Sequence, residues 1–221
     1  MFNVTRTYPE PASIAKKQYN KEDVLSALKP MFFEKCYLCE RDDIHDVEVE
    51  HFIPHQSNVA LKYNWDNLYY SCSRCNSIKS NTHINLLDCT DGKIDVGNMI
   101  TCMMPSAPSE KITVKATHSS PCMKSTNTVT LLEHCYNSEN TALRGISRDS
   151  LMDQMWEHYT DLLFARQLLR RKKSGKSVKA GAEETIEAML DVTHPFSIFW
   201  RNYFLNDSFL MSKYSHLRVG F

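Results

Sequence analysis

Apolar and polar residues alternate from Val47 to Phe52 (Val-Glu-Val-Glu-His-Phe), a period of two that predicts a β-strand. Elsewhere the spacing is helical. Met152, Met155, Trp156, Tyr159, Leu162, Leu163 and Leu169 follow helical spacing and predict a long helix, capped by Asp149 or Ser150 and ended by Gly175. A shorter helix is expected over Lys21 to Leu28, with Asn20 as its cap and Pro30 as its stop. Leu131, Leu132 and Cys135 open another that Asn137 ends, and Leu143 and Ile146 fall on a further short segment. Glu183 to Leu190 and Pro195 to Leu205 read as two more helices. The second is densely aromatic, with Phe196, Phe199, Trp200, Tyr203 and Phe204. A helix starting near Ser73 places Asn76 and Lys79 on one side, because positions three apart share a face. Residues 88–127 are rich in Asp, Gly, Ser, Thr, Pro and Met and read as loops around one β-like stretch, Lys111 to Ala116. Residues 1–20, with Pro9 and Pro11, read as an irregular arm.

These patterns divide the chain into an arm and short helix (1–32), a central module (33–87), a loop-rich region with a small hairpin (88–127) and a helical region (128–221). A length of 221 residues suits one large domain or two small ones and is enough to bury a core. No apolar run reaches membrane length, and the stretch Met1-Phe-Asn-Val-Thr-Arg6 lacks a secretory hydrophobic region, so a cytoplasmic location is expected.

The central module carries the chemistry. Cys36-Tyr-Leu-Cys39 and Cys72-Ser-Arg-Cys75 are paired at C-x2-C spacing, each pair able to present two sulfurs to one ion, which predicts a closed, structural zinc site. Cys89, Cys102, Cys122 and Cys135 sit at irregular spacings and are expected to be buried free thiols in a reducing compartment. Between the cysteine pairs lie Glu48, Glu50, His51, His55 and Asn67, and just after them Asn76 and Lys79. One carboxylate and one amide oxygen make an incomplete shell of the kind a hard divalent cation accepts, and a histidine beside it can serve as general base for phosphodiester hydrolysis.

The order Glu50-His51-Phe-Ile-Pro54, Asn67-Leu68, Cys72-Ser-Arg-Cys75-Asn76-Ser-Ile-Lys79 resembles the HNH (ββα-metal) nucleases with a four-cysteine zinc site. The resemblance implies an α+β fold, a small zinc-bound ββα-metal module embedded in a mainly helical domain. It also implies roles: His51 as general base, Asn67 bracing the hairpin loop, and Asn76 with Glu50 as ligands of a catalytic Mg²⁺ or Mn²⁺. His55 and Lys79 are implied phosphate contacts. Glu50 stands where the family more often has aspartate, so Glu48 competes with it as the metal ligand. More narrowly, the central motifs are similar to PtuB-type HNH subunits of Septu anti-phage systems and certain retrons. That similarity implies an ABC-type ATPase partner, PtuA-like. The expected substrate is DNA, with RNA such as tRNA as the alternative. A non-catalytic zinc-ribbon adaptor is the reading from a different class.

Charge changes this picture. Lys and Arg total 26 and so do Asp and Glu, whereas nucleic-acid binders usually carry a basic excess. One dense basic stretch, Arg166 to Lys179, either holds nucleic acid or is a solvated helix end, and a partner would then supply most of the binding. The aromatic stripe around Phe199 and Trp200 reads first as core and second as a docking face for that partner.

Overall fold

The computed structural model describes residues 1–139 and 145–221, and Leu143 lies outside the described residues. The chain runs through α1 (Ala12–Ala15), α2 (Glu22–Met31), β1 (Val47–His51), α3 (Val59–Lys62), β2 (Leu68–Cys72) and α4 (Ser73–Lys79). It continues through α5 (Val96–Met99), β3 (Ile100–Met103), β4 (Thr113–Ala116), α6 (Met123–Asn137) and α7 (Arg148–Arg170). The last helices are α8 (Lys176–Leu190), α9 (Ser197–Asn206) and α10 (Ser208–Lys213). This is an α+β fold in which two antiparallel hairpins are surrounded by helices. None of the described helices is long and apolar enough to cross a membrane.

β1 pairs with β2 in a register that sets Val47 opposite Cys72, Glu48 opposite Ser71, Glu50 opposite Tyr69 and His51 opposite Leu68. α4 follows β2 without a linker and packs back on both strands, which completes a ββα unit. The expected alternation is only half met. Glu50, not a valine, is the most buried residue of β1, because α4 covers the glutamate face of the strand. β3 and β4 form the second hairpin, with Cys102 opposite Val114, and it packs between α9 and α6.

Several boundaries differ from those the sequence suggests. α2 starts after Lys21 and includes Pro30 in its last turn. The proline removes an N–H, but the carbonyl it would have met, on Ser26, is on an exposed residue where water can satisfy it. Ser147, rather than Asp149 or Ser150, caps α7, accepting from the Ser150 N–H at 3.0 Å. Gly175 does not end α7, which stops at Arg170; it is the N-cap of α8, and that helix starts seven residues before Glu183. α6 likewise begins at Met123, upstream of Thr128.

The N-terminal arm is irregular yet packed. Met1, Phe2 and Val4 are buried, and Val4 N–H donates to the Cys89 carbonyl at 2.8 Å. Arg6 donates to the carbonyls of Trp65, Asp66 and Leu68 at 2.7–3.2 Å, and the Trp65 indole returns a bond to Thr7 at 3.0 Å. The aromatic stripe is core: Phe199 is 1% and Trp200 0% exposed, with Tyr136 set edge-on to Phe199 and Tyr159 stacked on Trp200. The docking face expected there is corrected, since α6, α7 and α9 bury those rings against one another.

Candidate active site and metal centre

The zinc ligands come from two places that the hairpin brings together. Cys36 and Cys39 lie in the turn after α2, where Glu40 N–H bonds the Cys36 carbonyl and Tyr37 N–H bonds the Tyr70 carbonyl of β2. Cys72 closes β2 and Cys75 sits in the first turn of α4. All four are buried, and their sulfurs lie within 4.8 Å of one another. Cys39 Sγ and Cys72 Sγ are 3.9 Å apart. Tetrahedral zinc at Zn–S of about 2.3 Å sets its sulfurs ~3.8 Å apart, so the cluster has the dimensions the ion requires.

The surrounding electrostatics suit it. Burial opposes ionisation of Cys36, but the thiols of Cys39, Cys72 and Cys75 donate to it and hold it well below the ordinary thiol range. Cys39 is driven well up as a donor to Cys36, and Cys75 by its contacts with Cys135 and Cys36. Burial would lower Arg41, yet its acidic surroundings, Asp46 among them, raise it, and its guanidinium meets Asp46 at 2.5 Å. A cation beside the sulfurs offsets the net negative charge that four thiolates leave on a zinc centre. Among the described residues no other three or more His, Cys, Asp and Glu side chains bring their ligand atoms this close together. Cys89, Cys102 and Cys135 are buried as expected, with Cys89 and Cys102 pushed up to about 12 by burial, but Cys122 is exposed at the start of α6.

His51 ends β1 with its ring half-buried. Its Nε2 lies 3.0 Å from the Lys62 carbonyl. A carbonyl only accepts, so Nε2 carries the proton and Nδ1 keeps its lone pair. Burial holds the ring below the ordinary imidazole value, with the Lys62 bond opposing and His55 assisting. Tyr19 and His55 each meet the His51 ring edge-on at 4.7 Å. His55 Nδ1 accepts from the Ser57 N–H at 3.2 Å, which leaves Nε2–H as its free donor.

Asn67 holds the loop between the strands. Its Oδ1 accepts from Ile53 N–H at 2.7 Å, and its Nδ2 donates to the carbonyls of Ile53 and Leu61 at 2.9 and 3.1 Å. These three bonds fix the loop that delivers the Lys62 carbonyl to His51. Asn67 is 4% exposed, so it reaches no substrate; it sets geometry.

The two glutamates separate. Glu48 and Glu50 share a face of β1, two residues apart. Asn76 Nδ2 donates to Glu48 Oε2 in the partly open part of the cleft. Glu50 faces Lys79 instead: Lys79 Nζ lies 2.5 Å from Glu50 Oε1 and donates to the His51 carbonyl at 2.9 Å. Burial pushes Glu50 up to about 7, against the pull of Lys79 and with Glu48 adding to the rise. Lys79 is 0% exposed, which corrects the expectation of either a phosphate contact or a solvated lysine. Its ammonium is consumed inside the protein, tying α4 to the end of β1. Glu48 and Asn76 meet here with Glu50 close enough for Glu48 to raise it, and carboxylate and amide oxygens are the ligands that Mg²⁺ or Mn²⁺ prefers.

Two functional neighbours escape a reading of the motifs. Tyr19 comes from the arm, and no local pattern marks it. Arg74 lies between two cysteines, but its fully buried guanidinium reaches outward to the carbonyls of Cys135, Ile146 and Ser138 at 2.6–3.3 Å. A buried arginine is recognisable only once its acceptors are known.

Residues 36–82 match the HNH endonuclease family model. Over 68 residues, 29% of this chain, the sequence is 40% identical to Septu protein PtuB of Bacillus thuringiensis. The chain spans about a quarter (26%) of that relative's length.

Proposed function

We propose that the HNH endonuclease module at residues 36–82 makes this chain a divalent-metal-dependent nuclease, acting on DNA in preference to RNA, as a subunit of an anti-phage complex. The observation that carries this is the state of His51. The Lys62 carbonyl claims Nε2–H, burial keeps the ring neutral, and Nδ1 is left as a base at the edge of a carboxylate–amide cleft.

Within that cleft the residues divide the work. Glu48, Asn76 and the outer oxygen of Glu50 would hold Mg²⁺ or Mn²⁺. Bound there, the ion supplies Lewis-acid stabilisation of charge on the phosphate and on the leaving oxygen. His51 Nδ1 takes a proton from the attacking water, a contribution of about 10²–10⁴-fold for a well-placed base. His55 offers its Nε2–H to a phosphate oxygen. Asn67 and Lys79 touch no substrate; they fix the loop and the strand end on which His51 depends. Cys36, Cys39, Cys72 and Cys75 hold structural zinc, since four thiolates leave no position for a water. A zinc-ribbon adaptor would need only the cysteines, and the Glu48–Asn76 pair beside His51 favours the enzyme.

The similarity to Septu protein PtuB supports placement in a defence complex, with an ABC-type ATPase like PtuA as the partner. The zero net charge agrees, because such a partner would provide part of the nucleic-acid affinity. The test is incubation of the purified chain, alone and with co-expressed neighbours, with DNA and RNA plus Mg²⁺. Divalent-dependent cleavage lost in His51→Ala is expected. Equal cutting by His51→Ala would overturn the mechanism.

A further inference from the structure

The cleft as described has a deficit. Glu48 and Glu50 are acidic, and Lys79, the nearest lysine of the motif, is buried and neutralised. A polyanion entering this cleft needs cations from elsewhere, and they are found on the arm.

α1 ends in a tight turn: Lys16 N–H bonds the Ser13 carbonyl and Lys17 N–H the Ile14 carbonyl, at 3.0 and 2.9 Å. Lys17 then adopts a φ of +56°, reversing the chain so that the Tyr19 ring lands 4.7 Å from His51. Lys16, Lys17 and Lys21 are exposed, and none forms an ion pair among the described residues. Across from them, Lys62 Nζ sits 5.8 Å from the Tyr19 ring centre and 5.6 Å from that of Tyr63. The Lys62 backbone is the one that holds His51. The neighbouring acids are already occupied. Glu22 and Asp23 lie in the first turn of α2, where the helix dipole favours them, and Asp23 also accepts from Ser13 N–H at 3.0 Å.

We propose that the Lys16–Lys21 turn, together with Lys62 and Tyr63, is the nucleic-acid-gripping flank of the cleft, its lysines on backbone phosphates and its tyrosines against the bases of the strand leaving His51. This rests on the nuclease function above and adds where its substrate is held. Lys17 and Lys21 are each two residues from Tyr19, within about 8 Å along the chain. A strand carries a charge every ~3.4 Å of rise, so the flank spans several consecutive phosphates. Tyr19 and Tyr63, half-buried rings interleaved with these lysines, also suit unpaired bases, which stack without sequence preference.

The test measures binding in His51→Ala, which leaves the probe uncut. Fluorescence anisotropy would follow a labelled duplex and a labelled single strand across a salt series with Mg²⁺ present. Lys16→Glu/Lys17→Glu/Lys21→Glu should weaken binding at least about tenfold. It should also reduce the slope of log K against log salt by roughly 2–3, the value for three lost phosphate contacts. The corresponding triple Gln variant should lose the same slope without adding repulsion, and zinc content and circular dichroism should match the parent for both. Unchanged affinity and slope in both triples would overturn the proposal. If Lys172→Glu/Lys173→Glu/Lys176→Glu lowered the slope in their place, the grip would belong to the α7–α8 turn. A parent that binds neither probe would overturn it too, whereas nuclease activity is judged separately, by cleavage with the unsubstituted chain.

Discussion

At the scale of single residues, His51 and the two glutamates make distinct predictions. His51→Ala should cost about 10²–10⁴-fold in cleavage with zinc content unchanged, as metal analysis and single-turnover rates would show. Because burial holds the imidazole below its ordinary value of about 6.5, the neutral, basic form persists into mildly acid solution. The rate should therefore fall only as pH drops below that value, giving an acid limb displaced downward; a midpoint above it would contradict the assigned environment. Glu48→Ala and Asn76→Ala should raise the Mg²⁺ concentration needed for half-maximal rate while leaving the melting temperature nearly unchanged, since both residues are partly open. Glu50→Ala is a different experiment. It strands the Lys79 ammonium in the interior, and breaking such a pair costs about 3–5 kcal/mol. Glu50→Ala/Lys79→Met should recover much of that loss in thermal denaturation without recovering cleavage. The sequence could name Glu48 and Glu50 as candidates but could not separate them. Both lie on one strand face, and the difference between them is which residue of α4 each one meets.

At the scale of elements, the hairpin and its helix were legible because their signals are local. Alternation marks Val47 to His51, and C-x2-C spacing marks the turn and the start of α4. Asn67 bonds Ile53 and Leu61 in the loop where the family motif leads one to expect a brace. What failed depended on tertiary context. Gly175 can end one helix or begin the next, and only the exit direction of α7 decides between them. Pro30 normally stops a helix, but here it falls in a final turn whose orphaned carbonyl faces solvent. The arm looked structureless because its partners are ~60 residues away: Arg6 and Thr7 meet Trp65 and its neighbours. Phe199 and Trp200 could be core or interface by composition alone. Their burial predicts that Trp200→Ala destabilises the isolated chain by about 3–5 kcal/mol in chemical denaturation. A Trp200→Ala chain as stable as the parent would return that ring to the surface.

Across the whole molecule, charge and metal are both unevenly placed. The segment 166–179 holds seven of the 26 Lys and Arg residues and no Asp or Glu, so the remaining residues carry an acidic excess of seven. Arg170, Arg171, Lys172, Lys173 and Lys176 are exposed, and among the described residues only Arg166 of the segment is ion-paired, with Asp207. That turn is open to phosphates or to an acidic partner surface. Zinc, by contrast, is central. Cys72→Ser should abolish zinc binding and with it soluble protein, because structural zinc in small domains contributes on the order of 10–16 kcal/mol apparent. Hydrogen exchange on partly chelated protein should show lost protection in β2 and α4, and also at the end of α6, since Arg74 carries the disturbance to the carbonyls of Cys135 and Ser138. Protection retained at α6 while α4 exchanges freely would show that the two regions open independently.

Arg74 also decides how far the unit matching the HNH endonuclease model can be transplanted. Motif boundaries at 36 and 82 suggest a cassette that could be cut out and grafted onto another scaffold. The side chain says otherwise. Among the described residues its guanidinium finds its acceptors outside those limits, on the carbonyls of Cys135, Ser138 and Ile146. A transplanted cassette would expose a cation built for the dark, together with the apolar floor beneath Trp65 that Arg6 now covers. The unit is therefore inherited with its surroundings, and swaps between relatives should succeed only when the helix behind the second cysteine pair travels with it.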